Sequence, residues 1–345
     1  MNTTDIYDIY GDYDDTFWHH ESPAPHEISP IDWVAMIIHS TVFLIGVPGN
    51  ALVVWVTIFG MKRTVNTVWF LNLAVADLLC CLALPVSIME TILGHWPLGQ
   101  FACKFIPSLL LVNMYASVLL LTVISMDRCA MVLKPVWCQN NRTLKKAYVV
   151  CAVIWLLAFV MSTPSFIFRH VSIHDAEGTE TCGYNYILVH RHRQKVENFI
   201  ASFRLLMGFV IPFLVITVCY GLLLKSVREQ FSQSTKTLKV ILTVIIGFFI
   251  CWLPYHVVGI IMATNTSTSA LFKATAKIDI IFIALAFVNS CINPVIYVLM
   301  GQDFKNKFKR SISGRLKIAL EEDTSQSSDR KSKSSTDTKN TEDSV

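Results

Sequence analysis

One carboxylate stands where water is scarce. Asp77 lies in the middle of an apolar run, Thr64–Met89, and no other run has an acid at its centre. Asn113 and Ser117 interrupt a second run, and Asn289 and Asn293 a third. Each pair is four residues apart, so its members share one face of a helix. An ionisable group inside hydrocarbon is costly, which makes it a functional hypothesis. If these faces converge, they form a hydrated pocket for a proton or a small cation, a sodium ion near Asp77 being the simplest occupant. The same groups serve as hydrogen-bond glue between helices, and the residues alone leave both readings open.

Other chemistry is missing. Ser, His and Asp occur, but not around a nucleophile elbow, and there is no phosphate-binding Walker loop. No His-x-x-x-His spacing falls on an apolar run and no Cys-x-x-Cys occurs, so neither a metal nor a redox centre is expected. The chain does not read as an enzyme.

The elements that must position these groups follow from composition. The chain has 345 residues, 53% hydrophobic and only 16% charged, against about 25% charged in soluble domains. The apolar excess falls in seven runs: Trp33–Phe59, Thr64–Met89, Phe105–Met126, Ala147–Phe168, Leu205–Leu224, Val240–Ala263 and Ile280–Met300. Each approaches the roughly 20 residues a membrane-crossing helix needs. The expected fold is an all-α membrane protein, a seven-helix transmembrane bundle with a short amphipathic eighth helix. Its expected parts are an acidic segment (1–32), the bundle (33–302), the amphipathic helix (303–320) and a tail (321–345).

Charge gives this bundle sides. Basic residues cluster after run one (Lys62, Arg63), run three (Lys134, Arg142, Lys145, Lys146), run five (Lys225, Arg228, Lys236, Lys239) and run seven (Lys305, Lys307, Lys309, Arg310). The positive-inside bias predicts a multi-pass plasma-membrane protein with these loops and the C-terminus in the cytosol and the N-terminus outside. The connection between runs four and five is basic too, an exception on the outer side. No cleavable signal peptide is evident, so the first run is expected to direct insertion. Six of the ten cysteines lie in the runs, and Cys129 and Cys138 face a reducing cytosol. Cys103 and Cys182 remain at the oxidising face, which predicts one disulfide.

Residues 1–30 carry seven acids, including Asp12, Asp14 and Asp15, and no Lys or Arg. Disorder is expected there. Tyr7, Tyr10 and Tyr13 sit among the aspartates, a setting suited to sulfation, and Asn2 begins a glycosylation sequon. Asn265 begins a second sequon close to the membrane, and the one at Asn141 falls on the cytosolic side. Phe304, Phe308 and Ile312 recur every four residues among basic ones, as in a helix lying on an anionic leaflet. The tail offers Ser325, Ser327, Ser328, Ser332, Ser334, Ser335, Thr336 and Thr338 to kinases.

The ordered motifs resemble the rhodopsin-type G-protein-coupled receptors. They are Gly49-Asn50, Leu73-Ala74-Val75-Ala76-Asp77, Asp127-Arg128, Trp155, Pro212 with Tyr220, Phe248 through Cys251-Trp252-Leu253-Pro254, and Asn293-Pro294-Val295-Ile296-Tyr297. Within that family, Trp69-Phe70-Leu71-Asn72, Asn113-Met114-Tyr115-Ala116-Ser117 and Lys134-Pro135-Val136-Trp137-Cys138-Gln139 look like the complement anaphylatoxin chemotactic receptors, the fifth-component branch above all. Amine receptors need an acid where Leu110 stands, and opsins a lysine where Phe287 stands. Formyl-peptide receptors carry an acid at the place of Leu111, and chemokine receptors commonly one at Ile283. Those two remain the alternative chemoattractant readings, with a transporter as the alternative class; no internal repeat supports the latter.

The resemblance implies a cationic extracellular ligand ending in arginine, drawn to Asp12, Asp14 and Asp15. It places Arg169 and Arg204 on the ligand's carboxylate, Asp279 on its arginine, and Tyr255 beside them. It implies a switch of Asp127, Arg128, Tyr220, Phe248, Trp252, Pro254, Asn293, Pro294 and Tyr297, with Arg128 held by Asp127 at rest. Implied partners are a heterotrimeric G protein of the inhibitory class, receptor kinases, arrestin and membrane lipid, and no nucleic acid. One departure is Cys129, where the family usually has tyrosine.

Overall fold

The computed structural model describes residues 27–174, 179–229, 235–266 and 268–300. Asn2, the three N-terminal tyrosines, Asp12, Asp14, Asp15, the amphipathic helix and every phosphorylation candidate lie outside the described residues.

Seven helical spans follow the seven apolar runs. They are Pro30–Gly60, Val65–Leu93, Gly99–Leu133, Leu144–Phe168, Arg193–Ser226, Thr235–Thr264 and Ala270–Met300. Local chemistry sets several starts. Ser29 caps the first span in a reciprocal box with Asp32, with Pro30 at the first helical position. Thr64 and Thr67 do the same for the second. Gly94, at φ 70°, closes the second span in the left-handed region that a glycine adopts cheaply.

Irregularities fall where the sequence leads one to look. Prolines 48, 107, 164, 254 and 294 sit inside spans. The second span breaks at Ala83, just before Pro85. The fifth passes through a π-helical stretch, Leu206–Val210, just before Pro212. That span starts at Arg193, twelve residues before its apolar run, so it projects beyond the hydrocarbon-length segment.

The third span is the axis. Of its most apolar stretch 72% is buried, against 28–44% for the first, second, fourth, fifth and sixth spans. The remaining spans expose apolar side chains such as Leu44, Leu156 and Ile250, as a lipid-facing surface must. Polar groups stitch neighbouring spans. Asn72 Oδ1 accepts from Trp155 Nε1 at 2.9 Å, joining spans two and four. Asn50 Nδ2 donates to the Ser290 carbonyl at 2.8 Å, joining one and seven. Gly49 lets Pro294 approach so closely that an added Cβ would lie 2.9 Å from the proline ring.

Between spans four and five the chain forms a hairpin, Arg169–His174 paired antiparallel with Thr179–Tyr184. The expected disulfide is present: Cys103 is bonded to Cys182 with the Cα atoms 5.6 Å apart. Gln100 Oε1 accepts from Val171 N–H, and Trp96 N–H donates to the Glu180 carbonyl, so the hairpin is held over one end of the bundle. This is the hairpin end. The opposite end carries Arg128 and a short helix, Pro135–Asn141.

Candidate functional site

A cavity of about 730 Å³ opens at the hairpin end. Arg169, Arg204, Tyr255 and Asp279, the residues the resemblance singled out, all line it, together with Tyr184 and Tyr186. They come from four places in the chain: the hairpin and spans five, six and seven.

Each arginine is held by aromatic and hydroxyl groups. Arg204 Nη1 donates to the Tyr255 hydroxyl at 2.8 Å, and its guanidinium carbon lies 4.8 Å from the centre of that ring. Gly259 lies against the other Arg204 nitrogen, leaving no room for a Cβ. Arg204 Nε is buried without a hydrogen-bond partner. Arg204 therefore does not lie at a lipid interface; it points into the cavity beneath its own projecting helix. Arg169 Nε donates to Ser165 Oγ at 3.3 Å, and its guanidinium sits 4.7 Å over the Tyr184 ring. Asp279 lies in the field of both guanidiniums without a salt bridge to either among the described residues.

The result is a concave site with excess positive charge. Tyr184 reports it. Burial pushes its phenol up, but Arg169 and Arg204 outweigh burial and leave it below the ordinary value. At Tyr186 burial dominates and the phenol is pushed up. Arg193 and Glu197 of the lining pair with each other, which leaves two forked cations and one carboxylate, a set that fits a ligand end bearing a carboxylate and a cation together. Tyr184 and Tyr186 were not singled out from the sequence. The signal was there only in part, as an aromatic pair two residues beyond a cysteine expected to be tethered.

From the cavity an aromatic column descends the sixth span. Tyr255 meets Trp252 edge-on at 5.5 Å, and Trp252 meets Phe248 at 6.0 Å. Spacings of three and four put these rings on one helical face. Trp252 and Phe248 are fully buried. Pro254, one of the implied switch residues, lies inside this same helix.

A second buried cluster is polar. Asp77, Asn113, Ser117 and Asn289 are all buried. Ser117 Oγ donates to Asn113 Oδ1 at 3.3 Å, and Asn113 Nδ2 donates to Ser290 Oγ at 3.4 Å. Cys80 is buried close to Ser290 and Asn113, within the field of Asp77. Spans two, three and seven thus converge. The seventh span makes its contact through Ser290, a residue not anticipated, beside Asn289. The side chains of Asn293 and Tyr297 lie outside the described ones, though their backbone is helical.

At the Arg128 end one expectation is overturned. Asp127 does not hold Arg128. Its Oδ1 accepts from Arg142 Nε at 2.7 Å and its Oδ2 from Arg142 Nη2 at 2.9 Å. Arg142 Nη2 also donates to Asn66 Oδ1 at 2.5 Å. The physical reason is geometric. Asp127 and Arg128 are adjacent on a helix and point about 100° apart, whereas Arg142 approaches Asp127 side-on, through Nε and Nη2, and matches both oxygens. Arg128 Nε and the Tyr220 hydroxyl are buried with no hydrogen-bond partner. Cys129 is buried and its thiol contacts Cys219 on the fifth span, so it is a packed core residue.

Comparison with known proteins agrees with this architecture. The profile "7 transmembrane receptor (rhodopsin family)" matches residues 49–297. The C5a anaphylatoxin chemotactic receptor 1 of Oryctolagus cuniculus is 48% identical over 314 residues, covering 90% of this chain and 89% of the rabbit protein. That of Homo sapiens is 46% identical over 295 residues, 85% of this chain and 83% of the human one. The C3a anaphylatoxin chemotactic receptor of Oncorhynchus mykiss is 42% identical over 294 residues, 84% of this chain and 80% of the trout one. Seven helical spans, a bonded Cys103–Cys182 and relatives matched over most of their length lead to one statement: the chain is a multi-pass membrane receptor, not an enzyme, and belongs to the rhodopsin family of seven-transmembrane receptors.

Proposed function

We propose that this receptor binds a complement anaphylatoxin of the C5a type at the extracellular surface and activates a heterotrimeric G protein of the inhibitory class. One observation carries the ligand reading. Arg169, Arg204 and Asp279 line one cavity, with both guanidiniums held by hydroxyl and aromatic groups. A terminal arginine supplies the complement: its carboxylate for the two guanidiniums, its side chain for Asp279. The hairpin end faces outside, and the acidic N-terminus, with Asp12, Asp14, Asp15 and sulfated Tyr7, Tyr10 and Tyr13, draws in a cationic ligand body by long-range attraction. Asn2 carries the glycan.

Activation is a shift between pre-existing arrangements, driven by tighter binding to one of them. A carboxylate on Arg204 competes for the guanidinium that Tyr255 now accepts from. Tyr255 touches Trp252 and Trp252 touches Phe248, so the disturbance has contiguous packing through which to reach Pro254 and the inner half of the sixth span. Tyr220, Asn293, Pro294 and Tyr297 rearrange with it, and the Arg128 end opens to the G protein. Kinases then modify the tail from Ser325 to Thr338 and arrestin binds.

The polar cluster belongs to the same reading. A buried carboxylate beside buried oxygen donors from Asn113, Ser117 and Ser290 suits a sodium ion, a hard cation that prefers oxygen. Bound there, the ion would neutralise Asp77 and bias the resting arrangement.

The test is to express the chain in cells and apply the C5a anaphylatoxin with and without its terminal arginine while reading G-protein activation. A response that weakens strongly without the arginine supports the reading. A response to formyl peptides or chemokines instead would move the ligand but keep the class.

A further inference from the structure

Arg142 has no assigned role, yet it makes the densest charged contact at the Arg128 end. It follows the short helix Pro135–Asn141, and its backbone N–H closes that helix on the Cys138 carbonyl at 2.9 Å. Its guanidinium takes both Asp127 oxygens and Asn66 Oδ1 at once. Asp127 belongs to the third span, Asn66 to the first turn of the second. One side chain therefore ties the loop between spans three and four to two spans.

We infer that Arg142 is a positioning residue for the switch: by occupying Asp127 it keeps that carboxylate away from Arg128 and sets how readily Arg128 is released. The inference rests on the receptor reading above. The geometry gives it direction. Both Asp127 oxygens are engaged in a forked pair, and both partners are mostly buried, with side-chain exposures of 12% and 21%. Solvent screening is correspondingly weak there. Arg128 is left within the field of Asp127, Arg142 and Tyr220 but with its Nε unbonded. Its resting partner is thus not its neighbour in sequence. If Arg142 is removed, Asp127 is freed, and the cation within its reach is Arg128. Arg128 is then captured by Asp127 and withheld from the G protein, and the loop loses its anchor.

That chain of consequences separates positioning from general support. Four full-length receptors are compared at equal surface expression: wild type, Arg142→Ala, Arg142→Lys, and Arg142→Ala combined with Asp127→Asn. Hydrogen exchange over residues 135–142 of the purified proteins reads the anchor directly. Arg142→Ala should exchange about tenfold faster there, the scale of a hydrogen bond to a charged group. Ligand-independent and maximal G-protein activation should fall severalfold, while ligand still binds. Arg142→Lys, a single donor without the fork, should lie between. Adding Asp127→Asn to Arg142→Ala should restore activation, because no carboxylate remains to capture Arg128, although the loop stays unanchored. A merely structural arginine would not be rescued by removing a second group.

Unchanged exchange in Arg142→Ala would overturn the anchor. Unchanged or increased activation in it, or no rescue in the double variant, would overturn the link to Arg128. Should wild type activate no G protein with any anaphylatoxin, the receptor reading falls, and exchange alone still decides whether Arg142 holds the loop.

Discussion

Two arginines of the cavity and one at the opposite end of the bundle are held in opposite ways. At the hairpin end, Arg169 and Arg204 lean on Tyr184 and Tyr255, and no carboxylate is bonded to either among the described residues. At the other end, Arg142 is locked to Asp127 through two short bonds. A phenol ring and hydroxyl shelter a guanidinium without neutralising it, so its charge stays available to an anion arriving from water. A carboxylate consumes that charge in holding structure together. The lesson is that the same residue type signals binding or bracing according to its partner.

Substitutions test this contrast, in falling order of effect. Arg204→Ala removes an available cation from the cavity. The concentration of anaphylatoxin for half-maximal response should rise about 100-fold or more, the scale for losing one partner of a buried charge pair. An unchanged dose-response curve would refute its carboxylate role. Gly259→Ala attacks the same group from behind. The added methyl would occupy the place of an Arg204 nitrogen, so the guanidinium must shift. About a tenfold loss of affinity with normal surface expression is expected, since a small misplacement weakens a forked bond more than it weakens the fold. Tyr255→Phe keeps the ring and deletes the hydroxyl that accepts from Arg204. It should raise basal activity if the Tyr255 bond holds the resting state, and alter ligand affinity by up to about tenfold. Unaltered basal activity would dissociate Tyr255 from the switch. Ser290→Ala should do least: it removes the contact with Asn113, a bond between spans of the kind worth about 0.6 kcal/mol. Thermal unfolding of the purified receptor should show a small decrease, with ligand affinity retained.

Much of the bundle was legible from residue order. The apolar runs and the bridged Cys103 and Cys182 were both readable from local composition. Several helix starts and the hairpin were missed for a reason: the third, sixth and seventh spans begin at Gly99, Thr235 and Ala270, ahead of their apolar runs, and the fifth differs most. Arg193–Leu205 is polar, so hydropathy starts the fifth span at Leu205, although helix formation begins earlier. The hairpin at Arg169–Tyr184 has mixed polarity and is held by the disulfide and Gln100, which no periodicity reveals.

Site residues were legible to different depths. Asp77 and Asn113 stand out because a polar group in an apolar run is conspicuous. Ser290 does not, since serine is ordinary in a membrane helix. Arg142 was hidden in a loop of basic residues whose collective charge already had an explanation.

The sequence by itself determined the number of spans and the identity of the two bridged cysteines. Those follow from transfer between water and hydrocarbon, which each segment experiences largely on its own. Only the tertiary structure decided which cation holds Asp127 and which ring shelters Arg204. The partners lie 15 and 51 residues apart in the chain. Their meeting depends on how seven helices pack, and a pairing of that kind leaves no local periodicity to read.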